Sequence, residues 1–199
     1  MIEMQLEYKD FMGSMPLLWI ISGVSGSGKT VVGRLLSERL ECDFLEGDRR
    51  HTLANIRKMA SQTPLNDTDR KEWLLRIEED IRRAKVCNNE AIITCSCLKA
   101  SYRKQLTSLG QVQLVWISVP EEVLEQRLAG RDNHFMKLEM LNSQLATFEP
   151  IRNDENVIVV NGVLKPREIV DELMTQAIQR FPGLALSWWQ RIEMFEQRQ

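Results

Sequence analysis

The sequence predicts an α/β protein built on a five-stranded parallel sheet flanked by helices. Two observations predict this class: short apolar runs alternate with segments of helical periodicity, and a glycine-rich turn joins the first apolar run to the first helix. The chain has 199 residues, enough for one domain with a substantial core. We expect that domain over residues 16–181, between a flexible N-terminal extension (1–15) and an amphipathic C-terminal tail (182–199).

The predicted strands are short apolar runs that end at turn or polar residues. They cover residues 17–21, 44–45, 91–95, 112–118 and 157–160. Because helical segments separate them, the strands are expected to run parallel, with their carboxyl ends at one edge of the sheet.

The predicted helices follow from apolar spacing and from their first residues. They cover residues 31–40, a long segment from about 67, a segment opened by Pro120, and residues 166–181. Acidic residues directly after Pro120 suit the positive end of a helix dipole. In the long segment, Trp73 shares one face with Ile77 and Ile81, so we expect it in the core.

Two segments do not fit the alternation of strands and helices. Residues 49–66 and 131–150 are predicted to lie over the carboxyl edge of the sheet, where α/β proteins bind their ligands. We interpret the first as a substrate-binding insert and the second as a lid.

Composition excludes several classes of protein. The net charge of −2 gives no indication of a nucleic-acid or membrane surface, and no apolar run is long enough to span a bilayer. The N-terminus lacks the features of a secretory signal, so a cytoplasmic protein is expected. None of the four cysteines forms a C-x-x-C pair, so no zinc site is predicted, and Cys95 and Cys97 are interpreted as small buried residues.

The glycine-rich turn carries the strongest chemical signal. Its residues Gly23, Val24, Ser25, Gly26, Ser27, Gly28, Lys29 and Thr30 match the pattern G-x-x-x-x-G-K-[ST] between a strand and a helix. Glycines let backbone N–H groups point at phosphate oxygens, Lys29 can bind the β- and γ-phosphates, and Thr30 can ligate Mg²⁺. We therefore predict that all eight residues bind a nucleotide. A merely tight turn is the alternative, against which the strand-helix setting argues.

The residues at the end of the third predicted strand help to distinguish between classes of nucleotide-binding protein. Its sequence, Ile93-Thr94-Cys95-Ser96, lacks the aspartate that often helps to hold Mg²⁺ in nucleotide triphosphatases. This absence argues against a GTPase switch or a motor ATPase and favours a small-molecule kinase.

Four further blocks resemble the small P-loop gluconokinases. They are EGDRRHTLANIRKM, PLNDTDRKEW, CSCLKASYR and the HFM…SQ…TFEP segment; with the glycine-rich turn, the resemblance covers residues 17–165. It implies a P-loop kinase fold like that of shikimate and nucleoside monophosphate kinases. It also implies phosphorylation of D-gluconate at its terminal hydroxyl with Mg-ATP, giving 6-phosphogluconate, and a homodimer. The sequence departs from the family at Thr52, where proline is usual, and at Cys97, where alanine is usual.

Asp48 is the candidate catalytic base. It follows the second predicted strand at the edge that carries the glycine-rich turn, so its carboxylate can accept a hydrogen bond, and then the proton, from an attacking hydroxyl. The alternative is an aspartate that only caps a helix or a turn.

A sugar acid needs cations for its carboxylate and neutral donors for its hydroxyls. The blocks that match the family supply such residues, and we predict that they bind the substrate together with Asp48: His51, Arg70, Ser96, Lys99, Arg103 and, in the lid, His134. For each cation the alternative is a solvated surface charge.

Arg127 and Arg131 are four residues apart, which would place them on one helix face pointing to the lid. The resemblance implies that one lies over the adenine and the other reaches the phosphates, where a cation stabilises charge on the transferred group. We predict that both are catalytic, with Lys29 and Asp48. The alternative is an exposed pair matched to Glu122 or Glu125.

Two other functions stay open from the residues alone. One is a related kinase with another hydroxy-acid acceptor, and the other is a regulatory protein that binds ATP without catalysis.

Overall fold

The structure is a computed structural model that describes residues 17–61, 63–87, 89–129 and 134–185; the side chains of residues 134–137 and 185 are outside the description. The predicted extension (1–15), Arg131, the His134 side chain and tail residues 186–199 therefore lie outside the described part. No described helix is both long and apolar enough to cross a bilayer.

Five parallel strands form one sheet, as predicted. They are β1 (Leu18–Ser22), β2 (Asp43–Glu46), β3 (Ala91–Thr94), β4 (Val112–Ser118) and β5 (Val157–Asn161). The order across the sheet is β2-β3-β1-β4-β5, and in the register Ile20 of β1 pairs with Ile93 of β3 and Leu114 of β4. The central strand β1 is buried along its whole length, so it fixes the loop that follows it.

Seven described α-helices accompany the sheet. They are α1 (Lys29–Leu40), α2 (Leu53–Ala60), α3 (Asp67–Val86), α4 (Ala100–Thr107), α5 (Glu121–Ala129), α6 (His134–Thr147) and α7 (Pro166–Arg180). The four predicted helices correspond to α1, α3, α5 and α7. Each of these begins within two residues of its predicted first residue.

Apolar side chains bury both faces of the sheet. On one face, Leu36 of α1 and Leu173 of α7 pack with Trp19 of β1. On the other face, α3 contributes Ile77 and Ile81, which pack with residues of β1, β3 and β4. Burial on both faces explains why the strands read as uninterrupted apolar runs.

The end of β2 lies unusually close to β3 at Gly47. A Cβ atom at this position would lie 1.9 Å from the carbonyl oxygen of Thr94, so only glycine fits. The Gly47 amide donates to Thr94 Oγ1 (3.1 Å), and its carbonyl accepts a hydrogen bond from Trp73 Nε1 (2.8 Å). These contacts fix the backbone of Gly47 and therefore the position of Asp48, the next residue.

The two segments that break the alternation contain helices. The segment 49–66 includes the end of a 3₁₀ helix (Gly47–Arg50) and all of α2, and the segment 131–150 includes α6. Thr52, the departure from the family pattern, is the N-cap of α2 and accepts a hydrogen bond from the Asn55 amide (3.1 Å). The Thr52 hydroxyl thus caps the first turn of α2.

Candidate active site

The loop between β1 and α1 has the backbone of an anion-binding site. Gly28 is the N-cap of α1 with φ of 97°, a left-handed conformation that favours glycine. The first turn of this 12-residue helix contains no acidic residue. Its free N–H groups and positive dipole end therefore face the loop without competition from a carboxylate.

Side chains of this loop suit a polyphosphate. Lys29 Nζ donates a hydrogen bond to the carbonyl of Val24 (3.0 Å), which holds the ammonium over the loop. Burial lowers the pKa of Lys29, while the Asp48 carboxylate acts in the opposite direction. Ser27 Oγ is buried and has no hydrogen-bond partner among the described residues, and Thr30 is exposed in the first helical turn. The loop thus offers a buried hydroxyl and a cation to an anionic ligand.

A cavity of about 550 Å³ opens next to the loop. Its polar lining combines Ser25 and Lys29 with residues from four other segments: Asp48, His51, Arg70, Ser96, Glu139, Ser143 and Gln144. Its remaining lining comes mainly from apolar side chains: Met59, Pro64, Leu65, Trp73, Leu98 and Met140, beside Thr63. A volume of this size suits a small metabolite.

Asp48, His51, Arg70 and Ser96 form what we call the acceptor wall. The first two follow β2, Ser96 follows β3, and Arg70 lies in the first turns of α3. Asp48 is exposed, and Arg70 forms no ion pair with any described carboxylate. The structure thus brings together four of the predicted substrate-binding residues in one cavity with Lys29.

His51 is held by its neighbours. Its ring stacks on Trp73, with centroids 4.6 Å apart and planes 11° apart, and its Nδ1 lies 3.3 Å from Asn55 Nδ2. Burial lowers the pKa of His51 and so favours the neutral ring, whereas the Asp48 carboxylate acts to raise this pKa. Trp73, predicted as core, is buried as expected but also lines the cavity, a second role that its helical spacing does not reveal.

The α6 helix lines the cavity with side chains to which the sequence analysis gave no individual role. Glu139, Met140, Ser143 and Gln144 line it from one face of the helix. Gln144 Oε1 accepts a hydrogen bond from the Ser25 amide (2.6 Å), so α6 contacts the loop between β1 and α1 directly. Their i, i+3 and i+4 spacing indicates that they share one helix face, but the sequence alone does not show which face of α6 packs toward the cavity.

Arg127 lies beside the phosphate-binding loop. Its Nη2 donates to the carbonyl of Gly162 (2.7 Å) and its Nη1 to that of Gly26 (3.4 Å). The alternative pairing with Glu122 or Glu125 is not formed among the described residues. Arg127 does not line the cavity.

Lys99 and Arg103, also predicted to bind the substrate, do not line the cavity. Lys99 Nζ donates to both carboxylate oxygens of Asp67, at 2.7 and 2.8 Å. Arg103 is 1% exposed, and its Nε and Nη2 bind Glu155 at 2.5 and 2.8 Å. Its Nη1 and Nη2 also donate to backbone carbonyls, those of Cys97, Leu98, Glu149 and Pro150. All three nitrogens of the Arg103 guanidinium therefore have partners within the protein.

The hydrogen bonds of Arg103 to Glu149 and Pro150 connect the end of the segment 131–150 to the core, and Glu149 adds two further contacts. The Glu149 amide donates to the carbonyl of Leu98 (2.9 Å), and the Ala100 amide donates to Glu149 Oε2 (2.7 Å). We call Arg103, Glu149 and Glu155 the lid anchor. Hydrogen bonds from Arg103 lower the pKa of Glu155, as expected for a carboxylate paired with a guanidinium.

Comparison with known proteins identifies the relatives of this chain. A family model described as an AAA domain matches residues 18–151. A gluconokinase from Gluconobacter oxydans is 40% identical over 169 residues, covering 84% of this chain and 95% of that protein. The crystal structure of a gluconokinase from Sinorhizobium meliloti has a TM-score of 0.72 and 34% identity, covering 93% of this chain and 99% of that one.

A more distant similarity concerns the fold alone. Shikimate kinase from Aquifex aeolicus matches with a TM-score of 0.52 and 19% identity, over 81% of this chain and 96% of that one. The expected P-loop kinase fold is thereby confirmed.

Proposed function

We propose that this chain, which belongs to the gluconokinase family, transfers the γ-phosphoryl group of ATP to the terminal hydroxyl of D-gluconate, giving 6-phosphogluconate and ADP. The observation that carries this proposal is the single cavity that joins Lys29 of the phosphate-binding loop to the acceptor wall. A phosphoryl donor and a small polar acceptor can therefore meet within it.

Residues 23–30 hold the triphosphate in this proposal. The unpartnered Ser27 hydroxyl, the N-terminal amides of α1 and the Lys29 ammonium are donors suited to phosphate oxygens. The exposed Thr30 hydroxyl would help to hold Mg²⁺, which neutralises phosphate charge when bound. A phosphate oxygen replaces Gln144 as the acceptor for the Ser25 amide.

The acceptor wall supplies complementary groups for a sugar acid. Asp48 accepts the proton of the terminal hydroxyl as that oxygen attacks phosphorus. Arg70 pairs with the substrate carboxylate, since its planar guanidinium matches two carboxylate oxygens and no described carboxylate already occupies it. His51 and Ser96 hydrogen-bond hydroxyl groups between these two ends.

The lid excludes water from the reaction. Met140 and Gln144 of α6 already cover the cavity, and closure of this kind limits transfer of the phosphoryl group to water. Arg127 supports the phosphate-binding loop through Gly26 and is proposed to contact the nucleotide. Arg131 and the His134 side chain are proposed to act on the phosphates and on the acceptor from the lid.

The test is ADP release in a coupled assay with Mg-ATP against a panel of acceptors: D-gluconate, other aldonates, shikimate and adenylyl sulfate. We expect a signal with D-gluconate and 6-phosphogluconate as its product by mass spectrometry. Lys29→Ala is the control and should abolish the signal. A signal only with another acceptor would overturn the substrate assignment, and ATP binding without any transfer would favour a regulatory protein.

We also propose that the chain forms a homodimer, as the resemblance implies, and that it is cytoplasmic. Size-exclusion chromatography with light scattering should give twice the chain mass of 23.1 kDa.

A further inference from the structure

We propose that Asn55 is a positioning residue that holds His51 in the tautomer with its proton on Nε2. The imidazole then acts as a hydrogen-bond donor toward the acceptor. The tautomer is argued from the contacts of Asn55 alone, and its consequence for the acceptor rests on the proposed function.

The orientation of the Asn55 amide is determined by the backbone of α3. Asn55 is 2% exposed, and its Nδ2 lies 2.8 Å from the carbonyl oxygen of Asp69. A carbonyl can only accept, so the Asn55 atom facing it must be the NH₂ group and not the amide oxygen.

Asp69 is itself fixed in place. Its carboxylate completes the capping box of α3 with Asn66 and accepts a hydrogen bond from Lys58 (2.6 Å). At the other end, the Asn55 backbone is bound to the N-cap Thr52. Both the amide and the carbonyl that orients it are therefore held by helix caps.

The second hydrogen of the same NH₂ group faces the histidine. Asn55 Nδ2 lies 3.3 Å from His51 Nδ1, so Nδ1 must be the acceptor and carries no proton. A neutral imidazole with an unprotonated Nδ1 carries its proton on Nε2. Protonation of Nδ1 would set two donors against each other.

The charges around the ring act in opposite directions. Asp48 favours the imidazolium, while burial and the Arg70 guanidinium disfavour it. Trp73 covers one face of the ring and adds no titratable group. The neutral ring that the Asn55 contact requires is compatible with this balance.

The tautomer gives His51 and Asp48 different roles in the acceptor wall. With Nδ1 occupied by Asn55, Nε2–H is the polar group that His51 offers to the cavity. It can donate to a hydroxyl or carboxylate oxygen but cannot accept a proton from a hydroxyl. Asp48 is then the group that accepts the proton, and His51 orients the acceptor.

Nuclear magnetic resonance can read the tautomer directly. The chain contains two histidines, so a long-range ¹H–¹⁵N spectrum shows two imidazoles, and His134→Gln identifies the signals of His51 by difference. We expect the ¹⁵N shift of an unprotonated nitrogen at Nδ1 and of a protonated one at Nε2. A protonated Nδ1 in the unmodified chain at neutral pH would overturn the proposal.

Variants of Asn55 test the cause. Asn55→Asp replaces the donor with an acceptor, so we expect Nδ1 to become protonated, and Asn55→Leu should give a mixture of tautomers. Circular dichroism and thermal unfolding check that each variant is folded. If Asn55→Asp leaves the tautomer unchanged, Asn55 does not set it; if neither variant folds, the spectrum of the unmodified chain still decides the tautomer.

Kinetics test the consequence separately. Asn55→Asp should raise the KM for gluconate about tenfold, the loss of one good hydrogen bond, while the KM for ATP is unchanged. His51→Gln keeps a donor without tautomers, so adding Asn55→Asp to it should have little further effect. Equal effects in both backgrounds would overturn the positioning role. If no acceptor is phosphorylated, the proposed function fails while the tautomer stands or falls by its spectrum.

Discussion

The acceptor wall and the lid anchor contain similar charged residues and use them in opposite ways. In the acceptor wall, Arg70 lines a cavity and forms no ion pair with a described carboxylate. In the lid anchor, Arg103 commits Nε, Nη1 and Nη2 to Glu155 and to backbone carbonyls. The Arg103 guanidinium is paired with a carboxylate and serves the fold. The Arg70 guanidinium lies at the cavity without a described carboxylate partner, which leaves its charge for an anionic ligand.

The largest effect is expected at the acceptor wall. Asp48→Asn keeps the shape of the side chain but removes the group that takes the proton, so kcat should fall by about 10²- to 10⁴-fold. ATP binding by calorimetry and the free energy of unfolding should change little, because Asp48 is exposed. Near-normal turnover would show that Asp48 does not act as the base.

The lid anchor should show the reverse pattern. Arg103→Met leaves the Glu155 carboxylate without its guanidinium, and breaking a buried pair in this way costs about 3–5 kcal/mol in unfolding free energy. Urea unfolding measures the loss, and Arg103→Met with Glu155→Gln should recover part of it. A stable Arg103→Met variant with a raised KM for gluconate would return Arg103 to the substrate site.

Arg70 sharpens the contrast between the two arginines. Arg70→Met should raise the KM for gluconate by about 10- to 100-fold, the value of a charge-assisted hydrogen bond, without a comparable loss of stability. Arg70→Lys is the matched control and should recover part of the affinity. An unchanged KM in Arg70→Met would remove this residue from carboxylate binding.

Acid should weaken the lid anchor in a defined direction. Hydrogen bonds from Arg103 lower the pKa of Glu155 below its ordinary value of 4.5, so the pair stabilises the fold above that pH and loses its contribution as pH falls below it. The difference in unfolding free energy between the unmodified chain and Glu155→Gln should therefore shrink toward lower pH. A difference independent of pH would contradict the ion pair.

The smallest effect is expected at Lys99. Its partner Asp67 is 62% exposed, and pairs of this kind contribute about 0–1 kcal/mol. Lys99→Gln should leave the KM for gluconate unchanged in the coupled assay and alter the urea midpoint only slightly. A large rise in KM would mean that Lys99 exchanges Asp67 for the substrate.

The sequence predicted most of the fold because its signals are local. The five strands, the starts of α1, α3, α5 and α7, and the phosphate-binding loop depend on residues close together in the chain. Asp48 could be placed near the loop because both follow strands of one parallel sheet.

Residues of the site that depend on distant partners could not be predicted in the same way. The role of Arg103 is decided by Glu155, 52 positions away, and nothing near Arg103 in the sequence distinguishes it from Arg70. Gln144 reaches Ser25 across 119 positions, and only the packing of α6 decides which of its faces does so. The hydrogen bond of Trp73 to Gly47 likewise joins residues that are distant in the sequence and could not be predicted from it.

Gly47 limits how this protein can diversify. Any side chain there would enter the space of the Thr94 carbonyl, 1.9 Å from its oxygen, so substitutions would separate two strands of the sheet. A side chain at the residue that precedes Asp48 would therefore also displace Asp48 relative to the phosphate-binding loop. Among the residues that line the cavity, Met59 and Met140 have flexible apolar side chains, so substitutions that change acceptor preference are better placed there than at Gly47.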